Sequence, residues 1–77
     1  MQKDLLLAFG QTVRQIRLSK DISQEKFADK CELHRTYISD IELGKRNVSL
    51  ENIGKMAEAL ELRISELFQE VERYASI

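Results

Sequence analysis

A short apolar segment near the middle of the chain carries polar side chains suited to hydrogen bonding. With Ile38 turned inward and about 100° between successive helical residues, Thr36, Ser39, Asp40 and Leu43 point outward. Arg35 sits nearer the edge, but in the first turn, where a long side chain reaches past the helix end. A guanidinium pairs bidentately with guanine O6 and N7, which makes Arg35 the first candidate for reading a base edge. Thr36 suits a thymine methyl or a base edge. Ser39 and Asp40 are weaker candidates, Asp40 only as an acceptor from cytosine N4. Tyr37 lies at the flank and suits a backbone phosphate, and Gln24 opens the preceding helix, where free N–H groups and a carboxamide can hold one. Lys45, Arg46 and Asn47 follow the segment and bring two positive charges.

Helical periodicity accounts for the elements that must position these groups. Leu6, Phe9, Val13 and Ile16 recur on one face, which predicts a first helix over about residues 3–20. Ser23 is an expected N-cap for a short second helix with Phe27, Ala28 and Cys31 inside. Leu33, Ile38 and Ile41 mark a third, stopped by Gly44. Ser49 caps a fourth carrying Ile53, Met56, Ala57 and Leu60, and a fifth starts near Ile64 with Leu67, Phe68 and Val71, Tyr74 and Ile77 lying beyond. Nothing alternates with a period of two. The expected fold is all-α, a single five-helix domain over residues 1–77 with a helix-turn-helix at about 24–43. Only Cys31-Glu32-Leu33 separates helices two and three, so they must cross steeply and leave one free to protrude. A helix about 10–12 Å wide fits a DNA major groove.

Composition excludes several classes. The 77 residues are 43% hydrophobic and 32% charged, with no proline and three glycines, which suits an ordered domain. The longest apolar run, Leu5 to Phe9, is too short for a bilayer, and nothing resembles a signal peptide. One cysteine, Cys31, forms no internal disulfide and reads as a small buried hydrophobe; a cytoplasmic location is expected. His34 has no partner at metal-ligand spacing, so an N-cap or phosphate-side place suits it, and neither metal nor cofactor is expected. One histidine, one cysteine and no glycine-rich phosphate loop make an enzyme a poor reading. The net charge of −1 is not the usual footprint of a nucleic-acid binder. Its distribution is more permissive: residues 1–50 hold nine Lys/Arg against seven Asp/Glu, net +2, and residues 51–77 three against six, net −3.

Glu42 falls one turn beyond Ile38 at the edge of the core face, where an unpaired carboxylate is costly. Arg17 holds the equivalent edge of the first helix, four residues after Val13. The two are predicted to form a structural ion pair.

The run Ser23-Gln24-Glu25-Lys26-Phe27-Ala28, then Leu33-His34-Arg35-Thr36-Tyr37-Ile38-Ser39, then Ile41-Glu42-Leu43-Gly44-Lys45-Arg46-Asn47 resembles the Cro/C1-type (XRE) repressors. The likeness continues through Ser49-Leu50-Glu51-Asn52-Ile53 to Glu66-Leu67-Phe68, and within that family the chain looks most like controller proteins of restriction–modification operons. The resemblance implies a lambda-repressor-like fold and places Arg35, Thr36 and Tyr37 among the DNA-contacting residues. It further implies that the Lys45–Asn47 loop grips the backbone near a dimer axis, with Arg46 entering a narrowed minor groove. The family usually has glycine at the turn; here Glu32 stands there, at an expected cost of about 1 kcal/mol of backbone strain.

The fifth helix, about residues 64–75, offers more apolar surface than a small core requires. Phe68, Val71, Tyr74 and Ile77 are the expected homodimer interface, and two modules on a twofold axis would read a palindrome. The leading expectation is a transcription regulator that binds double-stranded DNA as a homodimer. As a controller protein it would activate its own promoter at low dose and repress it as a tetramer on DNA at higher dose; activation needs a surface for RNA polymerase, for which Asp40, Glu42 and the acidic second half offer carboxylates without any one being assigned. The alternatives are a phage-type repressor, or a protein-interaction module such as an antitoxin.

Overall fold

The first four helices of this chain each end where the backbone turns left-handed, and that repeated device sets the architecture. The computed structural model describes residues 2–75, with side chains over 5–74. Among these residues there are five helices: α1 (Gln2–Ser19), α2 (Gln24–Cys31), α3 (Arg35–Glu42), α4 (Leu50–Ala59) and α5 (Ile64–Ala75). At the end of α1, Asp21 takes φ 61°, and Ile22 N–H donates to the Arg17 carbonyl while Asp21 N–H donates to that of Leu18. Glu32 (φ 58°) and Glu61 (φ 62°) repeat the pattern after α2 and α4, and Gly44 (φ 75°) after α3. These paired bonds satisfy carbonyls that a helix end otherwise leaves orphaned. In the three acidic cases the next residue, Ile22, Leu33 or Leu62, packs against the core. Gly44 is thus the stop expected from the sequence, and Glu32 holds the positive φ expected of a turn where glycine is usual.

N-caps complete the short connections. The Ser23 hydroxyl accepts from Lys26 N–H at 3.1 Å, and Ser49 does the same for Asn52 at 3.1 Å. His34 caps α3 through Nδ1, which accepts from Thr36 N–H at 3.3 Å. At α5 the cap is reversed: the Glu66 carboxylate reaches back to accept from Arg63 N–H at 2.8 Å.

α1 packs on α3 and α5, α2 on α3 and α4, and α4 on α5. Val13, Phe27, Ile38, Met56, Leu60, Leu67 and Val71 are wholly buried at the centre. Thr12 is also buried, its hydroxyl donating to the Ala8 carbonyl at 2.7 Å. α1 and α3 cross at Gly10, where a β-carbon would overlap the Ile41 carbonyl oxygen and stand 2.9 Å from the carbonyl carbon and oxygen of Glu42. Only glycine admits that approach.

Among the residues expected at a dimer interface, Val71 belongs to the core instead, with no exposed surface. Helical periodicity put it on the same face as Phe68 and Tyr74, but α5 is clasped by α1 and α4, which consume that side. Phe68 is half-buried, its ring 5.8 Å from that of Phe9. Tyr74 is half exposed. Ile77 lies outside the described residues.

Candidate nucleic-acid interface

α3 is held from below at both ends, which leaves its outer face free. Its inner residues Ile38 and Ile41 are fully buried. Near its C-terminus Glu42 is paired with Arg17 as expected: Nε donates to Oε2 at 2.7 Å and Nη2 to Oε1 at 3.1 Å, with both side chains nearly buried. The third guanidinium nitrogen, Nη1, donates to the Ile22 carbonyl at 2.7 Å. The guanidinium therefore links α1, the loop before α2, and α3. A pair this enclosed is stable only because its hydrogen bonds are satisfied on every side. Among the described residues no buried side-chain polar atom lacks a partner. Glu42 is accordingly committed to the interior and has no surface to offer RNA polymerase.

The outer face carries the expected readers. Arg35 and Thr36 are exposed and Ser39 is partly so. Together with Gln24 they line one open depression of about 260 Å³. Gln24 enters from the first residue of α2, and its Nε2 donates to Glu42 Oε1 at 3.0 Å. Leu43, at the end of α3, is 55% exposed, as the helical geometry requires.

A second cluster lies on the far flank of α3. The Arg46 guanidinium sits 5.3 Å from the centroid of the Tyr37 ring, and its Nε is 3.4 Å from Asp40 Oδ2. Asp40 thus has a cationic partner where the sequence left it as a bare acceptor. The pair is long and solvated, worth at most about 1 kcal/mol, so a phosphate can replace it. Tyr37 Oη accepts from Asn52 Nδ2 at 3.0 Å, a contact from α4. Sequence reasoning missed Asn52 in this role; no periodicity links a polar residue on α4 to the edge of α3. Lys45, Arg46 and Asn47 are all exposed in the loop after Gly44. Burial pushes the Cys31 thiol up to about 11, against a smaller lowering by Lys55.

Two short crossed helices, the second exposed and polar on its outer face, define a class of protein. A model of the helix-turn-helix family matches residues 13–67, and the chain belongs to that family of DNA-binding regulators. In particular it is similar to controller proteins of restriction–modification systems. It is 60% identical over 68 residues to the control protein C.BamHI of Bacillus amyloliquefaciens, covering 87% of this chain and 84% of the relative. The crystal structure of the restriction–modification controller protein C.AhdI from Aeromonas hydrophila superposes with a TM-score of 0.80 at 48% identity, covering 82% of this chain and 96% of the other. The controller protein C.Esp1396I, solved as a tetramer with its natural 35 base-pair operator, superposes with a TM-score of 0.87 at 32% identity over 95% of this chain and 96% of that one. The five-helix, all-α fold expected from the sequence is the fold of these proteins.

Proposed function

We propose that this chain binds palindromic operator DNA as a homodimer and controls its own promoter, activating it at low dose and repressing it when two dimers fill adjacent sites. The observation that carries the reading is the shared exposed face of Arg35, Thr36, Ser39 and Gln24. α3 enters the major groove, where Arg35 takes guanine O6 and N7, Thr36 a thymine methyl, and Ser39 a neighbouring base edge. Gln24, His34, Tyr37, Lys45 and Asn47 contact backbone phosphates, and Arg46 exchanges Asp40 for the phosphates of a narrowed minor groove.

The dimer uses the apolar groove between α1, α4 and α5, lined by Leu5, Leu6, Phe9, Val48, Ile53 and Phe68, together with the half-exposed Tyr74. Twofold pairing sets half-sites about one helical turn apart. The tetramer of C.Esp1396I on its operator supports filling of adjacent sites. RNA polymerase is the further partner that activation requires.

Selection of bound duplexes from a random pool, with affinity followed against salt, tests this reading. The expected result is a palindromic consensus and a steep salt dependence. Recovery of a stoichiometric partner protein, with no salt-sensitive DNA binding, would replace it with a protein-interaction module. Sedimentation should show a dimer; a chain monomeric at high concentration contradicts the twofold arrangement.

A further inference from the structure

The Glu42 carboxylate has a second partner besides Arg17, and its chemistry fixes which way that partner faces. Oε1 accepts from Arg17 Nη2 at 3.1 Å and from Gln24 Nε2 at 3.0 Å. An ionised carboxylate only accepts. The reversed carboxamide would set its carbonyl oxygen against a negative charge in a nearly closed site, so Gln24 is held nitrogen-first. One Nε2–H is consumed by Glu42; the other remains. Gln24 is half-buried and borders the open depression with Arg35, Thr36 and Ser39. Every other side chain there offers a donor, which suits an acceptor-rich ligand such as a phosphate oxygen.

We infer that Glu42 is a positioning residue for DNA binding, holding the Gln24 carboxamide so that its second Nε2–H meets a backbone phosphate. This rests on the DNA-binding reading proposed above. The buried ion pair then does more than join α1 to α3. It also spares a long, rotamer-rich side chain the ordering cost that would otherwise fall at the moment of binding.

The test uses the full chain and duplexes recovered from the random pool. Gln24→Ala should weaken binding about tenfold, the scale of one hydrogen bond to a charged group. The loss should be equal on all duplexes, with an unchanged salt slope, because a neutral donor releases no counterion. Thermal stability should fall only slightly, since Arg17 still holds both Glu42 oxygens and water can take the place of the lost amide. On duplexes with single phosphates replaced by neutral methylphosphonates, the Gln24→Ala loss should vanish at one position per half-site. A glutamine at 42 would keep the anchor through its carboxamide oxygen, whereas the double variant Arg17→Met/Glu42→Met removes it without stranding a charge. It should bind as weakly as Gln24→Ala, and adding Gln24→Ala to it should cost nothing more. Side-chain amide NMR of the free parent protein serves whether or not that variant folds: one Gln24 Hε2 should be shifted and slow to exchange.

Parent-strength binding by Gln24→Ala overturns the inference alone. So does a loss of stability with binding intact, which would make the bond a mere tie between α2 and α3, or a free parent protein in which both Gln24 amide protons exchange freely. A parent chain that recovers no duplex overturns the DNA-binding reading and the inference with it.

Discussion

Arg17 and Glu42 stand 25 residues apart in sequence and meet in a two-bond pair, 2.7 and 3.1 Å, sealed from solvent. Removing one member strands the other. Glu42→Ala should therefore cost about 3–5 kcal/mol in urea unfolding, whereas replacing both residues with apolar side chains of similar volume should recover most of that loss. An Ala variant as stable as the parent would mean that the guanidinium finds water.

Arg35→Ala and Arg46→Ala should fail differently. The first should relax preference at one base position by about 1–3 kcal/mol in competition against mutated duplexes. Arg46→Ala should weaken binding to all sequences alike and reduce the salt slope by about one. Measured slopes that do not separate the two would remove the distinction between reader and clamp.

Gly10→Ala opposes two effects of known size. Alanine is favoured in a helix by about 1 kcal/mol. Against this, the new β-carbon would run into the Ile41 carbonyl oxygen first and stand 2.9 Å from the Glu42 carbonyl group, and backbone cannot step aside as a flexible side chain can. Such overpacking costs about 1–3 kcal/mol. The clash should win, giving a lower urea midpoint and weaker DNA binding, because α3 is pushed off α1.

Glu32→Gly should go the other way. It relieves a left-handed non-glycine residue at φ 58°, but the entropy of glycine offsets about 0.4–1 kcal/mol of that relief, so a gain of only a few tenths of a kcal/mol in urea unfolding is expected.

The Cys31 thiol, raised to about 11 by burial, is protonated at pH 8 and should resist alkylation in the folded protein, reacting only as the chain unfolds. The sign at high pH follows. Above the ordinary value of 9.0 the unfolded chain loses this proton first, so stability should fall as pH rises from 9 toward 11. A Cys31→Ala variant should lack that part of the decline.

The five helices were legible because their apolar spacing, serine caps and Gly44 are local signals. Arg17 and Glu42 were legible for a related reason: each sits at the edge of an apolar face, so periodicity places both. Val71 shows the limit of the same argument. A helix wheel orders residues around one axis but does not say how many neighbours share the helix, and α1 and α4 both claim that side of α5. Gln24, Asp40 and Asn52 were harder still. Gln24 and Asn52 each meet a partner on another helix, and Asp40 meets one in the loop beyond its own; such contacts depend on tertiary geometry and on side chains with several rotamers. Nothing in the spacing of Asn52 and Tyr37 announces that they touch.

The left-handed helix ends have a consequence for how a polyanion approaches. A helix C-terminus carries a partial negative charge, and at α1, α2 and α4 the chain sets a carboxylate beside it: Asp21, Glu32 and Glu61. At α3 alone the corresponding residue is uncharged, and Lys45 and Arg46 come next. A chain of net charge −1 thus has an electrostatic polarity that its total conceals. Of the four such corners, only the one after α3 lacks a carboxylate and leads into two cations, which makes it the corner best suited to a phosphate.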